Sequence, residues 1–148
     1  MISKDDIRNM IIENERNELK GLEEMYQVHL KAADLDEDSS LSNEDFAQQD
    51  QSRESAIGME IRINQARTAL NQFINLDHGP KTEVEPGALI MTDLLNFYIG
   101  ISATLFEYRD KKFIGLEVNA PIYSAFQNSK IGDQIIFNDQ KYSILDIL

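Results

Sequence analysis

The stretch DHGPKTEVEP, residues 77–86, separates two halves of the chain that differ in hydrophobic period. His78-Gly79-Pro80 combines a glycine with a following proline, a pattern that ends helices. Upstream of it, apolar residues recur at helical spacing. Downstream, short runs rich in β-branched and aromatic residues predict strands. We therefore predict a helical domain over residues 1–78, a linker over 79–86 and a β-rich domain over 87–148.

The upstream half predicts two long helices. Ser3 and Asp6 resemble a capping box, and no proline interrupts the chain from there to Ala33. A second helix can start at Ser42 and run to His78. Its heptad seam comprises Ala56, Met59, Ile63, Ala66, Leu70 and Phe73. Folding the chain back near residue 39 gives an antiparallel coiled-coil hairpin.

The first helix has a less regular seam. Ile7 and Ile11 line its base, and its far end carries Leu22, Met25, His29 and Ala32. Between them, Glu15 and Glu18 occupy seam positions. In the folded-back hairpin we expect the basic stretch from Arg62 to Arg67 to lie opposite these acids and to compensate part of their charge.

The downstream half predicts a small domain of five strands and one helix. The strands are expected at residues 88–92, 97–101, 112–118, 134–137 and 142–147, and the helix at 122–128 after Pro121. Together the two halves predict an α+β chain, with a helical hairpin followed by an antiparallel β-sheet domain.

Composition narrows the function. The chain has 148 residues and a net charge of −12, and the acidic excess lies mainly before residue 79. Such a chain is not expected to bind DNA or RNA through a broad basic surface, so a metal ion or a basic protein surface is the expected partner. Cysteine is absent, which excludes thiolate metal sites. We expect a soluble, cytoplasmic protein without a membrane segment.

The residues DLDEDSSLSNEDF, 34–46, lie at the predicted bend of the hairpin. Six carboxylates fall within these thirteen residues: Asp34, Asp36, Glu37, Asp38, Glu44 and Asp45. A turn needs polar residues, but it does not need this much charge of one sign. The density of oxygen donors predicts an interaction with a hard cation.

Three motifs follow one another in the β-rich half: Pro121-Ile122-Tyr-Ser-Ala125, Lys130-Ile-Gly-Asp133 and the final strand Tyr142–Ile147. In these motifs it resembles the C-terminal domain of the bacterial Gre transcript-cleavage and elongation factors. The layout is also similar, with a long helical hairpin, a short linker and an FKBP-like β-domain. One departure is Ala120, where the family usually has serine before the proline.

This resemblance implies an accessory factor of RNA polymerase that is not itself an enzyme. Asn119, Ala120, Pro121 and Ile122 would contact the polymerase, and the hairpin would enter its secondary channel. The acidic tip would then support Mg²⁺ at the polymerase active site and stimulate cleavage of backtracked RNA. Contact with the RNA 3′ end would occur only inside that complex. The resemblance implies no sequence-specific DNA binding, and we expect a monomer.

The tip can be aligned with the family motif D-L-x-E-N-x-E-Y in two registers. In the first, Asp34 and Glu37 take the two metal-directing positions, with Asp36, Asp38 and Asp45 as neighbouring ligands. In the second, Asn43–Phe46 match without a gap, and the two positions fall on Ser39 and Ser42. Serine cannot replace the acids, so the second register predicts a homologue that occupies the channel without stimulating cleavage and inhibits.

Other interpretations of the tip remain open. Asp34, Asp36, Asp38 and Asp45 also fit positions one, three, five and twelve of an EF-hand loop, which predicts independent Ca²⁺ or Mg²⁺ binding. Ser39 replaces the glycine that such loops need for their sharp turn. The acidic residues can also serve only as a solvated turn. A stand-alone coiled-coil dimerisation module is a further alternative.

Three basic residues and two histidines complete the sequence-based predictions. Arg109, Lys111 and Lys112 predict a solvated β-turn, with a contact to polymerase or RNA as the alternative. His29 is expected to be a packed residue of the seam. His78 is expected to interact with the C-terminal end of the second helix.

Overall fold

The computed structural model describes residues 2–33 and 43–148, with side chains omitted at positions 33, 43–46 and 49. In chain order the elements are α1 (Lys4–Ala33), α2 (Asn43–Ile74), β1 (Leu89–Thr92), β2 (Asn96–Ile99), β3 (Ala103–Tyr108), β4 (Lys111–Leu116), α3 (Pro121–Phe126), β5 (Gln134–Phe137) and β6 (Gln140–Ile147). The predicted α+β class, with a helical hairpin, a β-domain and one short helix, is confirmed. None of the described helices is long and apolar enough to cross a membrane.

The two long helices form an antiparallel pair. Near the start of α1, Ile7 and Ile11 share a core with Leu70 and Phe73 from the end of α2. Further along α1, Glu23 pairs with Arg67. Residues later in α1 therefore pair with residues earlier in α2, so the two helices run in opposite directions. The two helices have 30 and 32 residues, so each is about 45 Å long at about 1.5 Å per residue.

The predicted seam of α2 is buried as expected. Ala56, Met59, Ile63, Leu70 and Phe73 are all at most 8% exposed, and Ala66 is half-buried. The far end of α1 is packed less completely than the pattern predicted. Leu22 and His29 are half-buried, whereas Met25 is 54% exposed and Ala32 is also exposed.

The chain divides into two compact units. The sheet unit combines the residues up to Glu13 with Leu70–Leu148, and the arm unit is Asn14–Ala69. The bases of both helices therefore belong to the sheet unit. The boundaries predicted at residues 78 and 86 stay a prediction.

Helix α2 ends earlier than the sequence predicted. Its last residue is Ile74, and the expected stop at His78-Gly79-Pro80 lies beyond it. The Leu76 N–H bonds to the Phe73 carbonyl at 3.2 Å. This bond spans three residues, where an α-helical bond spans four, so the α-helix has ended here. The His78 ring also reaches back to that carbonyl. The last turn of the helix is therefore completed by residues that are not helical.

The sheet has six strands in the order β3-β4-β2-β1-β6-β5. Strand β3 was not among the five predicted strands. The sheet is mixed, which corrects the expectation of a wholly antiparallel one. Strands β2 and β4 run parallel, from the pair Asn96–Phe113 to the pair Ile99–Leu116, while the other neighbours are antiparallel.

Both faces of the central strands are covered. Ile90 and Phe97 pack towards α3, in a cluster with Phe126 and Ile144. Leu89 and Tyr98 point the other way and pack against the bases of α1 and α2. Because side chains on both faces are buried, the sequences of β1 and β2 are almost continuously apolar. Each fully buried aromatic or aliphatic side chain contributes about 1.5–3 kcal/mol.

Candidate functional site

The acidic segment lies largely outside the described residues. Asp34, Asp36, Glu37 and Asp38 belong to the gap, as do Ser39 and Ser42 of the alternative register. Asp45 lies in the first turn of α2, where only the backbone is described. No group of three or more potential metal ligands occurs among the residues described on either side of the gap. The predicted roles of these acids and of Mg²⁺ or Ca²⁺ therefore stay predictions.

The arm that leads to this segment carries its charges in a different arrangement from the one expected. Arg67 binds Glu23, with 2.5 Å between Nη2 and Oε1, at a position further along α1 than Glu15. Burial, together with the negative charge of Glu18, raises the pKa of Glu15 to about 7. The predicted compensation of Glu15 by Arg62–Arg67 is thus not observed, because Arg67 is engaged further along α1.

The described part of the arm has a cleft of about 580 Å³. Most of the residues that border it are polar or charged, among them Lys20, Glu23, Glu24, Tyr26, Glu60 and Arg67. A second cleft, of about 400 Å³, has His29, Leu22, Met25 and Met59 on its walls. His29 is half-buried there, in agreement with its predicted packing role.

The predicted polymerase-binding residues form the loop that enters α3. Asn119 and Pro121 are exposed, whereas Ala120 and Ile122 are half-buried and pack against the core. Ala120 occupies the N-cap position with φ −68° and ψ 139°, and it makes no side-chain cap. The Ala120 N–H bonds to the Glu117 carbonyl at 3.0 Å, and the Ala120 carbonyl accepts from the Tyr123 N–H. Val118, 45% exposed, adds apolar surface beside Asn119.

The Lys130-Ile-Gly-Asp133 motif has a structural role. Asp133 Oδ2 accepts the Lys130 N–H at 2.9 Å, and the Asp133 N–H returns a bond to the Lys130 carbonyl. Gly132 has φ +94°, which favours glycine, and its N–H bonds to the Ile144 carbonyl. The motif therefore closes the turn that leads into β5 and ties it to β6.

The basic cluster forms the β-turn that the sequence predicted. Arg109 and Asp110 occupy its two central positions with φ 49° and 62°, between β3 and β4. Arg109 and Lys111 border a groove that also includes Lys4. Lys4 was read from the sequence only as part of a capping box, so this grouping was missed. Its sequence position is 105 residues or more from the turn, and only the packing of α1 on the sheet unit brings it there.

His78 is held between the end of α2 and strand β2. Its Nε2 lies 2.6 Å from the Phe73 carbonyl oxygen, and its Nδ1 lies 2.8 Å from the Tyr98 hydroxyl. Burial lowers the pKa of His78 and raises that of Tyr98. The predicted interaction with the C-terminal end of the helix is observed. It links the end of α2 to strand β2 and has a structural role.

Comparison with known proteins gives a limited result. No family model matches the chain, and no curated protein matches it. Among solved structures, the GreA factor homolog 1 (Gfh1) of Thermus thermophilus is 14% identical, with 97% of this chain and 93% of that chain covered at a TM-score of 0.35. A second structure, of the transcription factor Gfh1, is 15% identical at 96% and 91% coverage, with a TM-score of 0.34. Both scores are below 0.5, so this likeness establishes neither a family nor a function.

Proposed function

We propose that this chain is a Gre-type transcription factor that binds bacterial RNA polymerase and acts at its active site through the acidic segment. The observation that carries the proposal is the burial of both helix bases in one unit. Ile7 and Ile11 from the start of α1 and Phe73 from the end of α2 are fully buried in the sheet unit. The same unit contains the Pro121–Ala125 and Lys130–Asp133 motifs. A long helical arm that leads to an acidic segment suits delivery of carboxylates to a confined site.

The side chains of the acidic segment suit a hard cation. Between residues 34 and 45 the side chains offer oxygen donors, with no thiol or imidazole, and this donor set favours Mg²⁺ or Ca²⁺ over softer metals. In the proposed mechanism Asp34 and Glu37 supply carboxylate oxygens to Mg²⁺ held in part by the polymerase. Such a cation supplies Lewis acidity for hydrolysis of an RNA phosphodiester. Asp36, Asp38 and Asp45 would strengthen the local negative field.

The contact with polymerase is assigned to the loop that enters α3. Asn119 and Pro121 are exposed, and Val118 extends the same surface. The half-buried Ala120 and Ile122 fix the loop to the core, so its exposed groups are presented on a rigid base.

The decisive experiment uses backtracked elongation complexes of a bacterial RNA polymerase with labelled RNA at fixed Mg²⁺. The protein is expected to accelerate RNA cleavage, and the Asp34→Ala/Glu37→Ala variant is expected to lose this acceleration while still binding polymerase. The matched control is Ser39→Ala/Ser42→Ala, which changes the two residues that take the metal-directing positions in the alternative register. This variant is expected to keep the acceleration. Binding is measured separately by competition with the labelled wild-type protein.

Other outcomes have distinct meanings. Polymerase binding without acceleration would favour the alternative that the protein occupies the channel and inhibits, and would contradict stimulation of cleavage. Absence of binding would overturn the proposed function altogether. Calorimetry of the isolated protein with Ca²⁺ and Mg²⁺ tests the stand-alone alternative, since micromolar Ca²⁺ affinity would favour a self-sufficient loop. A Pro121→Ala/Asn119→Ala variant is expected to weaken polymerase binding without changing the fold.

A further inference from the structure

The six-stranded sheet has two edge strands, and they differ in how they are protected against further pairing. Strand β3 carries Glu107 and a register shift between Ala103 and Phe106, two features that discourage the addition of a strand. Strand β5, at the other edge, is Gln134–Phe137 and contains no charged residue, proline or glycine. Within residues 2–33 and 43–148, no strand pairs with its outer side. We call this outer side the β5 edge.

The turn between β5 and β6 fixes the hydrogen-bond pattern of the two strands. Asn138 and Asp139 form the two-residue loop, and both have positive φ, 49° and 63°, as a type I′ turn requires. In such a hairpin the residues that flank the loop, Phe137 and Gln140, form a hydrogen-bonded pair. Hydrogen-bonded and non-hydrogen-bonded pairs then alternate along the strands.

This alternation shows which backbone groups of β5 face the open side. The Ile144 N–H bonds to the Asp133 carbonyl at 3.0 Å, as the pattern predicts for a residue four positions before Phe137. The backbone N–H and C=O groups of Gln134 and Ile136 therefore point away from β6, along the β5 edge. The side chains of these two residues are exposed as well, that of Ile136 to 71%. The β5 edge thus offers two donors, two acceptors and an apolar side chain.

A second copy of the chain presents the same groups in the order that antiparallel pairing needs. A two-fold axis through Ile135 sets Gln134 opposite Ile136 of the second copy, and Ile136 opposite Gln134 of the second copy. Each of these two pairs can exchange two hydrogen bonds, so every donor and acceptor of both edges is used. The same register sets Asp133 opposite the uncharged Phe137, and no like charges oppose each other across the new pair.

Other two-fold registers fit less well. An axis through Ile136 would pair Gln134 with Asn138, a turn residue, and would set Asp133 opposite Asp139. Half of the edge groups would then lack a strand partner, and two carboxylates would repel each other. The β5 edge is therefore complementary to itself in the register that is centred on Ile135.

We propose that the β5 edge joins two copies of this chain, by antiparallel pairing of β5 with itself about Ile135. The two sheets then form one continuous sheet. The two Ile136 side chains lie on one face, diagonally across the axis, at about 7–8 Å, where large side chains still interact. Only four residues of each copy pair, so the contact is smaller than the about 1,200 Å² of a stable interface. We expect a reversible dimer with a Kd between about 0.1 and 1 mM.

Sedimentation equilibrium of the protein tests this association. The average mass is expected to rise towards that of a dimer as the concentration increases to about 1 mM. Ile136→Lys should weaken the dimer at least about tenfold, because it sets two positive charges across the axis. The matched control is Leu105→Lys on β3, where the residue is 49% exposed at the opposite edge, and it should leave the dimer unchanged. A wild-type protein that stays monomeric, or an Ile136→Lys variant that associates like wild type, would overturn the proposal.

Proline at position 136 tests the backbone bonds themselves. The Ile136 N–H points away from β6, so Ile136→Pro keeps the hydrogen bonds of the β5–β6 hairpin but removes one edge donor from each copy. The variant should fold, as circular dichroism would show, and its dimer should be at least about tenfold weaker. A folded Ile136→Pro variant with the wild-type Kd would contradict the pairing.

Single cysteines test the register without relying on a destabilising change. The chain has no cysteine of its own. Ile135→Cys sets two thiols in the central non-hydrogen-bonded pair, with about 4.5 Å between Cα atoms, which is within disulfide range. Under mild oxidation this variant should form covalent dimers at least about tenfold faster than Ile131→Cys, although Ile131 is more exposed. Equal rates in the two variants would overturn the register.

A peptide competitor separates a second copy from another occupant. Excess synthetic peptide with the sequence of residues 132–139 is expected to slow the cross-linking of Ile135→Cys, because it occupies the β5 edge. If the peptide binds while the wild-type protein stays monomeric at every concentration, the edge accepts an extended segment of another protein. That result would overturn the proposal of a dimer.

Discussion

At the residue scale, the hydrogen bonds of His78 define the tautomer of its neutral ring. A carbonyl oxygen can only accept, so the proton must lie on Nε2, which faces the Phe73 carbonyl at 2.6 Å. Neutral His78 then accepts the Tyr98 hydroxyl proton at Nδ1. The Phe73 ring also packs edge-on against both partners, with centroids 5.0 Å from His78 and 5.2 Å from Tyr98. Protonation of His78 would make Nδ1 a donor, so the Tyr98 hydroxyl would have to turn and accept, while the partly buried ring would carry a charge.

His78 is therefore expected to make the protein less stable in mild acid. Its pKa is lower in the folded protein than the ordinary value of 6.5, so the unfolded chain binds the proton more readily. The free energy of unfolding should fall as pH decreases from about 6.5 towards the folded pKa. Urea denaturation of wild type and His78→Gln at pH 5.5, 6.5 and 7.5 measures this contribution. The His78→Gln variant should lose it, and His29→Gln, which changes the other histidine, should retain it.

Glu15 is expected to have the opposite pH dependence. Its pKa is raised from 4.5 to about 7, chiefly by burial, so the folded protein binds the proton more readily. Its contribution to stability should rise as pH falls from about 7 to 4.5. Because the side chain is only partly buried, we expect about 1 kcal/mol. Glu15→Gln should stabilise the protein at pH 8 and abolish this pH dependence, whereas Glu13→Gln should do neither. An NMR titration of the Glu15 carboxyl carbon with a midpoint near 4.5 would contradict this prediction.

At the element scale, β3 shows why one strand was missed. Ala103 is buried, the next two residues are exposed, and Phe106 and Tyr108 are half-buried. A register shift between Ala103 and Phe106 moves the inward residues from one parity to the other. The usual alternation of buried and exposed residues is therefore interrupted within β3, so the sequence does not look like a strand. The strand is also an edge strand, and Leu105 is 49% exposed on it.

Gly115 in β4 is expected to be intolerant of any side chain. A Cβ atom there would lie 2.4 Å from the Ile101 carbonyl oxygen and 2.7 Å from the Ala103 nitrogen, both of them backbone atoms. We predict that Gly115→Ala lowers the free energy of unfolding by about 3 kcal/mol. The matched control is Gly21→Ala in α1, where nothing lies within 4 Å. Helix propensity predicts that this change stabilises by about 0.5–1 kcal/mol. Urea denaturation of both variants measures the difference, and a Gly115→Ala cost below about 1 kcal/mol would contradict the steric argument.

At the scale of the whole molecule, local sequence patterns predicted individual helices and strands better than they predicted which of these elements lie side by side. The heptad seam from Ala56 to Phe73 and the strand pattern around Phe97 depend on near neighbours, and both were recovered. The parallel pairing of β2 with β4 was not, because it depends on where β3 is inserted. The groove that Lys4 and Arg109 both line was also missed, because it depends on how the base of α1 packs in the sheet unit. The acidic segment 34–45 was recognised by composition, and its geometry stays a prediction.

The arm unit and the sheet unit differ in how much apolar surface they bury. Among the described residues of Asn14–Ala69, the buried apolar side chains are Ala56, Met59 and Ile63. Four large apolar residues in the described part of this unit are more than half exposed: Met25, Val28, Ile57 and Ile61. The sheet unit instead contains both large core clusters. Local stability follows buried apolar contact, so the arm should open more easily than the sheet.

Native-state hydrogen exchange is expected to show this difference directly. Amides of α1 and α2 within Asn14–Ala69 should exchange at least about 100-fold faster than the slowest amides of β1, β2 and β4, because openings of the arm need not unfold the sheet. Met59→Ala should accelerate exchange in the arm alone. Phe73→Ala, at a fully buried position of the sheet unit, should cost about 3–5 kcal/mol and reduce the gap by accelerating exchange in the strands. If arm and sheet amides exchange at one common rate, the protein opens as a single cooperative unit. The arm would then owe its stability to the sheet unit and not to its own seam.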